Sequence, residues 1–312
     1  MKDALFGGVN AAVLTAMHPD LSPDLDRMAA HAKWLLANGC NGLGILGTTG
    51  EANSFGLSER KAILEGLIAR GIPARVMMPG TGCASLTDTV ELTLHAKAQG
   101  CRGVLLLPPF YYKAPSDDGL FAYFSEVVNR VGGGIALYLY HFPQQSAVPF
   151  SLDLIGRLLQ AFPGTIKGVK DSSGVYANMK AMADNFARDG FEVYSGSDEF
   201  LQQMLLDGGA GCITAASNAN SHWGGIVYAR RTGAEADKAQ AMLTATRRAA
   251  TSVPLIPGLR EIIARSTGDD GWRVIRPPHL KLDKAQADAV WAAWEAAGAL
   301  PLPGLSIKAA AE

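Results

Sequence analysis

"IKGVKDSSG", residues 166–174, opens as a strand and closes as a turn. Ile166 and Val169 are strand residues, and the apolar run ends at Lys170, just ahead of the turn-forming "DSSG". A lysine at that point has two readings. It can snorkel where a strand emerges into water, or it can be held partly desolvated, lose its proton and act as an amine nucleophile. Working outward from it, the same rhythm recurs: "IALYLYH" (135–141) precedes it, "FEVYSG" (191–196) follows, and helical patterns at 151–161 and 174–188 lie between. Extended to the whole chain, the rhythm adds "FGGVNAAVLTAM" (6–17), "GLGILG" (42–47), "ARVMMPG" (74–80), "RGVLLLPP" (102–109) and "AGCITA" (210–215). With "TIKGVK" (165–170) these make eight strand candidates. The remaining helices are read at 22–39, 58–71, 85–100, 116–132 and 198–207; the first takes Ser22 as N-cap, Pro23 as first helical residue and Gly39 as stop.

The strand candidates are nearly continuous in apolar character, as expected for a parallel sheet covered by helices on both faces. Strands alternating with helices at this spacing are βαβ units. Eight of them in about 215 residues fit a closed α/β barrel, the (β/α)8 TIM barrel, better than the alternative of an open doubly wound sheet. Beyond residue 221 only helical patterns remain, at 221–231, 234–250, 255–265 and 284–297, with Val290, Trp291 and Trp294 on one face of the last. The expected organisation is a catalytic barrel over 1–225 and a C-terminal helical extension over 226–312, ending in a frayed tail "KAAAE".

Composition excludes several function classes. Net charge is −1, so nothing points to nucleic acid or an anionic membrane. No stretch approaches the roughly 20 uninterrupted apolar residues of a membrane span, and the N-terminal region does not read as a secretion signal. Hydrophobic residues make up 48% and charged residues only 18%, which implies much buried surface and a subunit interface. Cys40, Cys83, Cys101 and Cys212 form no metal-spaced pair, so the expectation is a reduced, cytoplasmic protein. The six histidines show no metal-binding spacing. "GLGILG" matches the GxGxxG pattern, but its Ile45 and Leu46 read as strand and no helix starts before Ser58, so it is no dinucleotide loop.

A barrel places chemistry at the C-terminal ends of its strands. Those ends are Thr15, "GTTGE" (47–51), "PGTG" (79–82), "PPFYY" (108–112), Tyr140, Lys170, "SGSDE" (195–199) and Thr214. Hydroxyls, glycines and one lysine therefore converge on one rim, which favours the nucleophile reading of Lys170. "GTTGE" offers backbone N–H groups and two hydroxyls suited to a carboxylate or phosphate, or is an ordinary turn. Tyr140 can relay protons, or is a half-buried strand tyrosine. Tyr111 and Tyr112 lie on a proline-stiffened loop that also reads as an aromatic interface patch.

"GTTGE" after the second strand candidate, the "YxxP" tyrosine in "YHFP" and "KDSSG" together resemble the dihydrodipicolinate synthase / N-acetylneuraminate lyase family, over roughly the whole chain. The resemblance implies a class I aldolase. Lys170 would form a Schiff base with pyruvate or a 2-keto acid, Tyr140 would shuttle protons, and Thr48 and Thr49, with Gly47, would hold the keto-acid carboxylate. Tyr112 matches a tyrosine that crosses a dimer interface in relatives and joins the proton relay, Tyr111 being the alternative register. Gly196 and Thr214 would complete the substrate site. No metal or diffusible cofactor is implied, and dimers or tetramers are. The nucleophile must be neutral, so its pKa has to fall from near 10.4.

Two departures bear on the second substrate. The synthases carry an arginine two residues after "YxxP" that binds that substrate's carboxylate; here Gln145 stands there. Asp198 and Glu199 match an acidic pair that binds sugar hydroxyls in the sialic acid lyases, or they cap the following helix. The expected activity is pyruvate-dependent cleavage or formation of a 2-keto-3-deoxy sugar acid, with an aldehyde as second partner. A keto-deoxy sugar acid dehydratase, a 4-hydroxy-tetrahydrodipicolinate synthase and an inactive keto-acid-binding paralogue are the alternatives.

Overall fold

Short, buried parallel strands alternate with helices throughout the first two-thirds of the computed structural model, which describes residues 4–299 together with 302 and 305. The "KAAAE" tail lies outside the described residues. The strands are β1 (Gly8–Ala12), β2 (Gly42–Gly44), β3 (Gly103–Leu106), β4 (Ala136–His141), β5 (Ile166–Asp171), β6 (Glu192–Ser195) and β7 (Gly211–Thr214). All are parallel, in the order β2-β1-β7-β6-β5-β4-β3.

The architecture is the expected TIM barrel, with one difference. Among the described residues seven regular strands form, and the candidate at 74–80 is a 3₁₀ turn, Ala74–Val76, followed by two parallel bridges, Leu43 with Met77 and Gly80 with Leu105. Pro79 is the physical reason, because it has no N–H to give to a ladder. The segment still joins the two edges: Met78 N donates to Leu43 O (2.8 Å), Gly80 N to Ile45 O (2.8 Å) and Leu105 N to Pro79 O (3.0 Å). β2 covers only Gly42–Gly44 of the GxGxxG match; Ile45 and Leu46, expected as strand, lie past its end, with Leu46 at φ +53°, and the next α-helix still begins only at Leu57.

Two apolar layers result. Phe6, Ala12, Met78, Leu105, Tyr138, Tyr140, Tyr194 and Ile213 fill the barrel, and a larger cluster, including Val169 and Val193, packs the strands against the helices. The first helix starts later than expected, at Leu25, capped by Asp24, whose carboxylate accepts from Arg27 N. Ser22 does not cap it, because its N–H and hydroxyl are both engaged by Asp20 (3.0 and 2.6 Å).

The helix Ser217–Arg230 runs through positions 225 and 226 and packs on β1. Asn218 joins the two, accepting from Leu14 N (3.1 Å) and donating to Ala12 O (2.7 Å). Helices Ala234–Ala250, Leu255–Thr267 and Lys284–Ala296 follow, with Val290 and Trp294 buried and Trp291 half-buried. All four cysteines are buried and free.

His31 carries a pH prediction. It is fully buried beside Trp272, with Nε2 3.0 Å from Asn218 O, and Nδ1 has no partner. A carbonyl only accepts, so Nε2 donates and the ring is neutral. Burial pushes its pKa down to about 4, against a smaller upward pull from the Asn218 carbonyl. Between pH 6.5 and 4 the unfolded chain therefore binds a proton that the native state refuses. This contribution is complete above pH 6.5 and is lost as the pH falls, reaching about 3 kcal/mol near pH 4. The Tm of His31→Gln is expected to fall less steeply than that of the parent over this window. Equal slopes in thermal melts would contradict it.

Candidate active site

The alternation of β5 decides which way Lys170 points. A register shift at Leu137/Tyr138 sets Gly168 beside Tyr138 and Lys170 beside Tyr140. Gly168 is required in the lower layer: a Cβ there would lie 2.3 Å from Glu192 O and 2.9 Å from the Tyr138 ring. Lys170 therefore stands one layer higher, inside the barrel, and is only 5% exposed. Asp171 falls on the opposite face. Its carboxylate accepts from Ser173 N and Asn178 Nδ2 (both 2.6 Å), which folds "DSSG" back over the strand end, with Gly174 at φ +74°. The Lys170 Nζ lies 4.3 Å from the centre of the Tyr140 ring. Among the described residues no carboxylate pairs with it and no acceptor hydrogen-bonds to it.

The "GTTGE" loop is held from behind. Thr15 Oγ1 donates to Gly50 O (2.7 Å), and Thr15 O accepts from Arg260 Nη2 (2.7 Å). Glu51, at φ +55° with a fully buried side chain, forms an ion pair with the equally buried Arg260 of helix Leu255–Thr267. Glu51, the last residue of the motif, thus anchors the loop to the extension while Thr48 and Thr49 face the site. Gly196 is a close approach: its N donates to Asp171 O (2.7 Å), and a Cβ would lie 2.1 Å from Ser172 Oγ.

These elements enclose a cavity of about 440 Å³, inside the roughly 300–1,000 Å³ range of ligand sites. It brings together Lys170, Tyr140, Thr48, Thr49, Gly196, Glu199 and Gln145, the last on the one-turn helix Pro143–Ser146. Gly47 lines a small adjoining recess with Thr48 and Tyr140.

Three expected site residues are placed elsewhere. Asp198 is turned away from the cavity, accepts from the Thr214 hydroxyl and lies 3.4 Å from Asn220 Nδ2. Burial pushes its pKa up, and the charge of Arg247 opposes the rise. Thr214 spends its one proton on Asp198, so Ser217 Oγ, at 2.7 Å, donates to it. Asp198 and Thr214 therefore brace one another instead of lining the site. Tyr112 is 76% exposed and packs edge-on against Tyr111, outside the cavity of its own chain.

The far wall was not visible in the sequence. Arg247, Pro254, Leu255, Ile256, Pro257 and His279 come from the extension. The rule that nominates strand ends cannot reach them. The only local signal is the arginine pair in the alanine-rich "TATRRAA" of helix Ala234–Ala250. Among the described residues no group of three or more His, Cys, Asp or Glu could hold a metal ion, and no helix is long and apolar enough to cross a membrane.

Comparison with known proteins bears on the family and the fold. A model described as the dihydrodipicolinate synthetase family matches residues 5–297. An uncharacterised DapA-like lyase of Chloroflexus aurantiacus is 34% identical over 92% of this chain and 96% of its own length. The crystal structure of dihydrodipicolinate synthase from Agrobacterium tumefaciens superposes with a TM-score of 0.84 at 32% identity, covering 93% of this chain and 98% of that one. A prophage protein of the dihydrodipicolinic acid synthase family from E. coli K12, solved in complex with pyruvate, gives 0.86 at 27% identity, covering 95% and 100%.

Proposed function

The chain belongs to the dihydrodipicolinate synthetase family, whose members are aldolase-type lyases, and on that premise we propose a pyruvate-dependent Schiff-base aldolase that cleaves or forms a 2-keto-3-deoxy sugar acid. The observation that carries the reading is Lys170: a buried amine with no acceptor among the described residues, set against the Tyr140 ring in a ligand-sized cavity. An amine left without a partner in a folded core costs stability, and a covalent role accounts for keeping it. The pyruvate bound to the E. coli relative supports a keto acid as first substrate.

In the cleavage direction the Lys170 amine adds to the C2 ketone, and the resulting C2 hydroxyl takes the Tyr140 proton and leaves as water, giving an iminium and a tyrosinate. The iminium withdraws the electron pair of the C3–C4 bond as Tyr140 accepts the proton of the C4 hydroxyl. An aldehyde departs and an enamine remains. Protonation at C3 and addition of water release pyruvate and restore the amine, so no redox partner is needed. Thr48 and Thr49 hold the keto-acid carboxylate. Tyr112 enters only from a second copy of the chain, in the dimer or tetramer that the reading entails.

Borohydride added with pyruvate reduces an imine to a stable adduct, so peptide mass spectrometry tests the reading. An adduct on Lys170 is expected; none in folded protein would overturn it. Tyr140→Phe is expected to lower kcat by roughly 10²–10⁴-fold, since it removes a proton carrier, while adduct formation with pyruvate persists. A kcat within twofold of the parent would remove Tyr140 from the relay. The relatives that are synthases favour a second reading, condensation with a carboxylate-bearing aldehyde. Pyruvate consumption with aspartate semialdehyde against pyruvate release from 2-keto-3-deoxy acids separates the two.

A further inference from the structure

The cavity holds a charge that the chemistry above leaves unused. Besides Lys170 and His279, its basic side chains include the guanidinium of Arg247. Its acids are already engaged. Asp171 accepts from Ser173 N and Asn178, and Glu199 pairs with Arg248 at 3.0 Å. Arg247, the neighbour of Arg248 on the same helix, is half-buried and faces the cavity, and no carboxylate lies within ion-pairing distance of it among the described residues. Asp198, the acid that feels its charge, is committed to Thr214 and Asn220. A guanidinium facing a ligand-sized cavity with no carboxylate partner is available to a bound anion, and its planar fork matches a carboxylate or phosphate.

We propose that Arg247 is the anion subsite for the end of the substrate remote from the ketone, so that the aldehyde half carries a carboxylate or a phosphate. The proposal rests on the Schiff-base reading for its orientation. Lys170 fixes the ketone on β5 and the "GTTGE" loop takes the adjacent carboxylate, which leaves the wall built by the extension to face the distal end. Gln145, uncharged and exposed, cannot supply this charge from the barrel side. The anion is therefore read by the extension, and the absence of an arginine at position 145 does not make the second substrate neutral.

The test compares matched 2-oxo acids on the parent and on Arg247→Ala: 2-oxoadipate, with a distal carboxylate; 2-oxohexanoate, its uncharged counterpart; and a 2-oxo acid ending in a phosphate ester. Each is measured twice, by calorimetric Kd and by borohydride trapping on Lys170 relative to pyruvate, which has no distal group. In the parent, at least one anionic probe is expected to bind about 10- to 100-fold more tightly than 2-oxohexanoate, the range of a charge-assisted hydrogen bond. The favoured probe identifies carboxylate or phosphate. In Arg247→Ala that preference is expected to fall to about one, and Arg247→Lys to restore part of it. Adducts that form without any anionic preference would overturn the subsite and leave the Schiff base standing. A preference in Kd without any adduct would leave the subsite standing and overturn the Schiff base. A preference that survives in Arg247→Ala would place the anion elsewhere.

Discussion

Replacing Lys170 by alanine is expected to reduce turnover by on the order of 10⁶-fold, the scale on which enzymes lose rate when a nucleophile is deleted. Tyr140, Thr48 and Thr49 would remain, and binding alone would sustain only a residual rate. A second measurement separates function from architecture. Lys170→Met keeps the chain length but replaces an amine that has no hydrogen-bond acceptor with an apolar group. It gives up the contact with the Tyr140 ring and removes the larger cost of a buried polar group without a partner. A net gain of about 1 kcal/mol is expected, raising Tm by roughly 2–4 °C. An inactive but stabilised Lys170→Met variant would mark the lysine as retained for chemistry. Surviving turnover in Lys170→Ala would end the Schiff-base proposal, and a Tm lowered by several degrees in Lys170→Met would show that the lysine is structural.

The second large effect lies behind the site, at Glu51 and Arg260. Both side chains are almost wholly buried, and burial disfavours the Arg260 charge while Glu51 supports it. Glu51→Leu leaves a guanidinium in the interior with only the Thr15 and Trp272 carbonyls for company. A loss of about 3–5 kcal/mol is expected, because removing one partner of a buried pair leaves the other uncompensated. Arg260→Met should cost a similar amount. The double variant should cost less than the sum, by about 2 kcal/mol or more, because neither charge is then stranded. Denaturant melts measure the cycle, and simple additivity would show that the pair does not act as a unit. Because the pair anchors the loop carrying Thr48 and Thr49, both single variants are also expected to raise the KM for pyruvate.

The legible parts of this protein are those governed by local periodicity and by the chain order of the strand ends. Continuous apolar runs between helical patterns determine a parallel barrel, because only burial on both faces tolerates them. The position of Lys170 near the end of its strand, with "GTTGE" and Tyr140 also at strand ends, determines that these groups share one rim. The break at 74–80 was also written in the chain, as Pro79, yet its consequence depended on the two edges it had to join.

What only the tertiary structure decided concerns contacts between residues far apart in sequence. Asp198, beside Glu199 in "SGSDE", reads equally as a sugar ligand and as a cap of the following helix. Its carboxylate instead meets Thr214 and Asn220, and no local pattern encodes which of two adjacent acids turns inward. Glu51 looked like part of a substrate loop and pairs with a residue 209 positions away. Arg247 sits on a helix that continues past the barrel, and only the packing of that helix against the 198–200 turn brings it to the cavity. Sequence spacing reports which side chains share a strand or a helix face. The direction of a buried charge is set by which partner can compensate it, and that partner is chosen by the packing of the whole chain.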